Sequence, residues 1–254
     1  IVDRITVLGD FKNLEKNTHE ISHHNDYLDI VNSAFPYNYR IRTASGIHVQ
    51  VANPESPVQN VRIEWNPAKL DTNGTLLPLL LAMMKNKRFS RIDYAIDYAI
   101  DLSEYQFKTD RPRKRVKFIS AAVKLETLYL GTRKSSDFYR IYNKAAEQEQ
   151  DGTLWRIEQQ FNLEKNTEFW MLRPFADLTI WKPSDMTVHY VDGLILKDLH
   201  ANPENWARLT DFARRKYKRM VSNLDYTSQL ENHPSDLFLA GYQPIADYLT
   251  KILE

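Results

Sequence analysis

The stretch Asp137-Phe138-Tyr139-Arg140-Ile141-Tyr142-Asn143-Lys144 holds a tyrosine between two cations. As a β-strand it alternates its side chains between two faces. Tyr139 and Ile141 then point one way, and Arg140, Tyr142 and Lys144 the other. A phenol with a pKa of ~10 is a poor nucleophile at neutral pH. Cations on its own face stabilise a phenolate or hold a phosphate beside it. The chemistry expected of this strand is covalent attack by a tyrosine on a phosphodiester. The plainer reading is a cross-strand aromatic with two solvated basic neighbours.

Three further stretches carry ionisable residues at strand spacing. They are Arg62 and Glu64, Asp93 and Asp97, and Arg156 and Glu158. If these strands are neighbours, their polar faces coincide, because alternation fixes which side chains share a side. Ala95 and Ala99 leave room between the aspartates. Acids gathered around Asp93 are costly without a cation. An oxygen-rich donor set suits Mg²⁺ or Mn²⁺ rather than zinc, and such an ion polarises a phosphodiester. A solvated face with cross-strand ion pairs is the alternative.

A competing motif is His19-Glu20-Ile21-Ser22-His23, which fits HExxH. Zinc-peptidase chemistry needs it on a packed apolar helix with a third ligand downstream. Its flanks, Lys16-Asn17-Thr18 and His24-Asn25-Asp26, are polar. There is no His-x-His, so a metal here is expected to rest mainly on carboxylates.

The elements that must position these residues follow from hydrophobic period. Strands are expected at Ile5 to Leu8, Val61 to Trp65, Arg91 to Asp101, Lys117 to Ala122, Leu125 to Gly131 and Leu154 to Phe161. A hairpin about Ser45-Gly46 is expected to join Tyr39–Arg42 to Ile47–Ala52. Phe11 to Asn32 reads as helix or loop, and Leu76 to Phe89 as a helix with Pro78 in its first turn. Asn202 to Ser222 reads as one helix with Trp206, Leu209, Ala213, Tyr217 and Met220 on a stripe, and Pro244 to Leu253 as another. The fold class expected is α+β: a central, mostly antiparallel sheet with one polar catalytic face, flanking helices and a mainly helical C-terminal part. A nicking-joining domain over 1–175 and a helical DNA-recognition and dimerisation region over 176–254 are expected.

The 254 residues carry a net charge of +1, which by itself indicates no polyanion partner. The cations are clustered instead, in Arg111-Pro112-Arg113-Lys114-Arg115 and Arg214-Arg215-Lys216-Tyr217-Lys218-Arg219. Two such clusters with aromatics interleaved suggest nucleic acid; a solvated charged face is the plainer outcome. The absence of cysteine excludes disulfides and thiol catalysis and fits a reducing, cytoplasmic interior. No apolar run reaches the ~18 residues of a membrane span, and no signal peptide is visible.

Val61-Arg62-Ile63-Glu64-Trp65-Asn66-Pro67, Arg91-Ile92-Asp93-Tyr94-Ala95-Ile96-Asp97, Tyr129-Leu130-Gly131-Thr132-Arg133, Arg140-Ile141-Tyr142-Asn143-Lys144 and Leu154-Trp155-Arg156-Ile157-Glu158 stand in a telling order. The order resembles that of plasmid rolling-circle replication initiators of the Rep_trans type, and conjugative relaxases of some integrative elements look similar. The resemblance implies strand nicking and joining at a double-strand origin, in an extruded single-stranded loop, through a 5′-phosphotyrosine that leaves a 3′-OH primer. It implies a homodimer, a host helicase as partner, and no membrane. The family's nucleophile falls on Tyr142, flanked by Arg140 and Lys144. Its metal ligands fall among Glu64, Asp93 and Glu158, with Asp97 a further candidate. Contacts to DNA are expected from Arg133 and Lys134, and from Arg208, Arg214, Arg215, Lys216 and Lys218 around the recognition segment Asn205 to Arg215. A conjugative relaxase with the same chemistry, and a sequence-specific DNA-binding protein without catalysis, are the other readings.

Overall fold

The computed structural model describes residues 1–11, 13–33, 36–52, 59–70, 75–121, 124–182, 190–223, 230 and 232–254. Among the described residues ten strands form one sheet: β1 (Val2–Phe11), β2 (Tyr27–Asn32), β3 (Tyr39–Thr43), β4 (His48–Val51), β5 (Val61–Trp65), β6 (Met84–Tyr98), β8 (Arg115–Ile119), β9 (Leu125–Leu130), β10 (Asp137–Asn143) and β11 (Trp155–Asn162). Their order is β2-β3-β4-β5-β1-β6-β11-β10-β9-β8, and every pairing is antiparallel. A separate ribbon pairs β7 (Gln106–Thr109) with β12 (Leu178–Trp181). The helices are α1 (Leu14–Ser22), α2 (Leu77–Met83), α3 (Lys144–Glu147), α4 (Tyr190–Ala201), α5 (Asp211–Asn223), α6 (Pro234–Ala240) and α7 (Tyr242–Leu253). The expected α+β architecture is borne out.

Alternation explains the sheet. Val61, Ile63 and Trp65 are buried on β5, as are Ile92, Tyr94, Ile96 and Tyr98 on β6. Tyr139 and Ile141 on β10 and Trp155 and Ile157 on β11 join the same core. Helices α6 and α7 cover that core through Phe238, Leu249 and Ile252. A second cluster of Leu196, Leu199 and Tyr217 holds α4 against α5. The last third of the chain thus contributes both to the sheet's own core and to a small core of its own.

Three expectations need correction. The helix expected over Leu76 to Phe89 stops at Met83, and Met84 opens the long strand β6. The cause is β1, which pairs with β6 from Phe11↔Met84 to Val2↔Tyr94. Gly9 permits that close approach, since a Cβ there would lie 2.9 Å from the Lys85 carbonyl oxygen. The segment Phe11 to Asn32 is neither one helix nor one loop but α1 followed by edge strand β2. The helix expected over Asn202 to Ser222 is broken: a 3-10 turn, Pro203–Arg208, ends at an extended Leu209 before α5 starts. Arg214 bridges the break, donating to the carbonyls of Trp206 at 3.1 Å and Leu209 at 3.0 Å. Among the described residues no helix is long and apolar enough to cross a membrane.

Candidate active site

The four expected polar stretches do meet on one face of the sheet, with β1 among them at a place that was not foreseen. β1 lies between β5 and β6, setting Thr6 opposite both Glu64 and Arg91, and Arg4 opposite Asp93. Across β11, Asp97 faces Arg156 and Ala95 faces Glu158; across β10, Glu158 faces Arg140 and Arg156 faces Tyr142. A polar cleft of about 440 Å³ opens here, lined by Arg4, Arg62, Arg91, Arg133, Arg140 and Glu158. Sequence reasoning did not single out Asp3, Arg4 or Thr6: β1 was read as a strand over Ile5 to Leu8, and over Val2 to Gly9 by resemblance, but was given no neighbours.

Tyr142 sits as the alternation required. It is largely buried (4% exposed), with the Arg140 guanidinium 4.3 Å and the Lys144 ammonium 5.6 Å from its ring centre. Burial raises its pKa first, and the charge of Glu158 adds to that; Arg140 and Arg156 pull the other way without winning. The phenol is therefore neutral. Lys144 departs from the expected strand, standing in the first turn of α3 after Asn143, whose side chain caps that helix by accepting from the Ala146 N–H at 3.0 Å. From there Lys144 binds Glu147, and Arg140 reaches Glu147 at 3.4 Å. Glu147 was not singled out in the sequence, although its spacing from Lys144 is that of a helical ion pair.

Tyr139 points to the opposite face. It is fully buried and donates its hydroxyl to Asp177 Oδ1 at 2.5 Å. Arg113 completes this network, bonding Asp137 at 2.5 Å and Asp177 at 2.7 Å. Burial, and then the carboxylate of Asp177, hold the Tyr139 phenol protonated.

Three of the four expected metal ligands are hydrogen-bonded by arginine. Glu64 accepts from Arg62 at 2.5 Å, Thr6 at 3.1 Å and Arg4 at 3.3 Å. Asp93, fully buried, takes both arms of Arg91, at 2.7 and 2.5 Å. Asp97 takes Arg156 at 2.5 and 2.6 Å, and Arg156 also binds Asp3 at 2.7 Å. Glu158 is the exception: its buried Oε2 has no hydrogen-bond donor, and Arg140 approaches only to 3.4 Å. Burial pushes the carboxyl pKa up at Asp93 and at Glu158, where the neighbouring Asp93 charge adds to it. A buried, unsatisfied carboxylate oxygen amid other acids fits a hard divalent cation. Among the described residues no three acids or histidines stand together as a ready ligand cluster, so the arginines hold positions that bound metal would have to share.

The remaining candidates divide. Arg133 lines the polar cleft, and Lys134 follows it in the exposed turn between β9 and β10. Arg208, Arg215 and Lys218 are exposed. Arg214 is occupied with the carbonyls above and with Asp211 at 3.0 Å, and Lys216 is tied to Asp192 of α4 at 2.7 Å. These two hold the helical region together in this state. His19 and His23 of the HExxH stretch are exposed, with ring centres 4.5 Å apart, and belong to no ligand cluster among the described residues.

No protein-family profile matches the chain. Three curated replication initiation proteins of Staphylococcus aureus are 33%, 34% and 32% identical to it over 176, 177 and 177 residues. Each match covers 65% of this chain and 55%, 56% and 55% of the relative. The chain thus spans a little over half the length of the curated relatives it matches. A solved rolling-circle replication initiator from Geobacillus stearothermophilus aligns with a TM-score of 0.46 at 18% identity, over 64% of this chain and 73% of that one. The resemblance to replication initiators expected from the five motifs is borne out by these curated relatives over about two thirds of the chain.

Proposed function

We propose that the chain initiates rolling-circle plasmid replication by nicking and rejoining one strand of origin DNA, with Tyr142 as the nucleophile. The observation that carries this reading is the pair of cations at the Tyr142 ring, on a sheet face whose cleft is lined by five arginines. The phosphate of an unpaired strand would enter that cleft and be held by Arg140, Arg133 and Arg4 through charge-assisted hydrogen bonds. The Tyr142 oxygen attacks phosphorus, and the bond from phosphorus to the 3′ oxygen breaks. The phenolic proton leaves to a carboxylate, with Glu158, whose charge acts on the phenol, as the proposed acceptor, and the departing 3′ oxygen takes up a proton from solvent to become the 3′-OH. A 5′-phosphotyrosine remains on the protein, and the reverse attack rejoins the strand. Arg140 stabilises charge on the phenolate and on the phosphorane-like transition state.

Glu158, Asp93 and Glu64 would hold Mg²⁺ or Mn²⁺ once their arginines yield, with Asp97 further along the face. Such an ion would polarise the phosphodiester and offset its charge. The exposed Arg208, Arg215 and Lys218 are the proposed origin-binding cations. A homodimer in the cytoplasm, working with a host helicase, completes the proposal. Incubating supercoiled origin DNA with Mn²⁺ tests it: wild type yields open circles, and Tyr142→Phe yields none while still binding the origin. Open circles from Tyr142→Phe would end this reading.

A further inference from the structure

A second cleft, of about 370 Å³, lies away from the polar face. Its floor includes Leu130, which pairs with Tyr139 and so lies on the side of β9 opposite Tyr142's face. The ribbon of β7 and β12 forms one wall and the end of α4 with its following 3-10 turn the other. Phe107, Trp181 and Trp206 line it, and Lys108, Arg111 and Arg115 add cations. Arg115 bonds the Phe107 carbonyl, and Lys117 ties β8 to α4 through the Ala201 carbonyl at 2.9 Å, so both walls are fixed to the sheet. The size falls within the range of pockets that take small planar ligands, roughly 300–1,000 Å³.

Aromatic walls beside exposed cations are the chemistry of a stacked base carrying a phosphate. Trp206 is only half-buried, and Arg111, which lines the same cleft, is exposed. At about 370 Å³ the cleft cannot enclose a duplex, and among its lining residues Asp110 is the one acid beside four cations, Lys108, Arg111, Arg113 and Arg115. We propose that this cleft binds one unpaired nucleotide, its base against Trp206 and its phosphate at Arg111. The inference rests on the nucleic-acid reading above, but not on Tyr142.

The test uses the Tyr142→Phe chain, so that no strand is cut. Three probes are titrated by fluorescence quenching: a single-stranded oligonucleotide containing 2-aminopurine, its duplex, and 2-aminopurine deoxynucleoside monophosphate. Trp206→Leu and Arg111→Glu should each weaken single-strand binding by about tenfold and leave duplex binding unchanged. If the monophosphate shows the same sensitivity, free nucleotide is the source; if only the oligonucleotide does, a DNA strand is. Arg111→Glu alters an exposed side chain and keeps the test valid should Trp206→Leu disturb the α4–α5 core. Unchanged single-strand binding in a folded Arg111→Glu chain, or equal losses for duplex and single strand, overturns the proposal. Neither result bears on nicking, which is read separately from Tyr142.

Discussion

The guanidinium of Arg140 lies over the ring of Tyr142, 4.3 Å from its centre, and reaches toward Glu158 at 3.4 Å. One side chain therefore couples the proposed nucleophile to its proposed proton acceptor. Arg140→Gln keeps length and some hydrogen bonding but removes the charge. It should lower the nicking rate by about a hundredfold while changing origin affinity far less. Single-turnover nicking beside an equilibrium binding assay measures the two effects.

The two tyrosines of β10 separate by stability as well as by activity. Tyr139→Phe removes a buried hydrogen bond to Asp177 and should cost about 1.5–3 kcal/mol. Urea denaturation should register that loss, and nicking by the folded fraction should persist. Arg113→Met should cost more, about 3–5 kcal/mol, because it strands two partly buried carboxylates that now share one guanidinium.

Glu158 links stability to pH. Its folded-state pKa is raised by burial, so the folded chain holds that proton more tightly than the unfolded chain does. Stability from this group is fully present below the unfolded carboxylate value and is lost as pH rises through the folded value. At neutral pH the buried carboxylate is a liability. Glu158→Gln should therefore raise the melting temperature at pH 7, and the gain should fade as the pH falls below the ordinary carboxylate range of ~4. Melting curves from pH 3 to pH 8 read this directly.

The same residue reports on the metal. Mn²⁺ followed by calorimetry should bind wild type, and Glu158→Gln should weaken it by at least about tenfold. Arg91→Gln should tighten it, since Arg91 now occupies both oxygens of Asp93. Equal affinity in all three proteins would place the ion elsewhere.

Salt separates the cations of α5. Arg215→Ala and Lys218→Ala should each reduce the slope of log affinity against log salt by about one and weaken all sequences alike. Arg214→Ala should instead lower thermal stability, because its guanidinium closes the break at Leu209.

Much of the polar face was legible because alternation is a local property. Val61 to Trp65, Arg91 to Tyr98 and Trp155 to Phe161 each turn their large apolar side chains to one side, and Tyr142 follows from the same count on β10. Strand order was not legible, since pairing across tens of residues leaves no periodic trace. Thus β1 entered between β5 and β6 unannounced, bringing Arg4 and Thr6 to Glu64. The run Leu76 to Met84 suits helix or strand, and only pairing with β1 decided where one became the other. The stripe from Trp206 to Met220 does pack on one small core, yet the 3-10 turn and Leu209 interrupt the helix beneath it. Acids were expected as ligands by type alone; their capture by Arg62, Arg91 and Arg156 depends on neighbours at i+2 and across strands.

The central claim is that the bond to DNA forms at Tyr142. Mass spectrometry of a quenched nicking reaction, after protease and nuclease digestion, should find the nucleotide mass on the peptide containing Tyr142, at that residue. Attachment at Tyr139, at another side chain, or complete nicking without any protein-linked nucleotide would contradict the account.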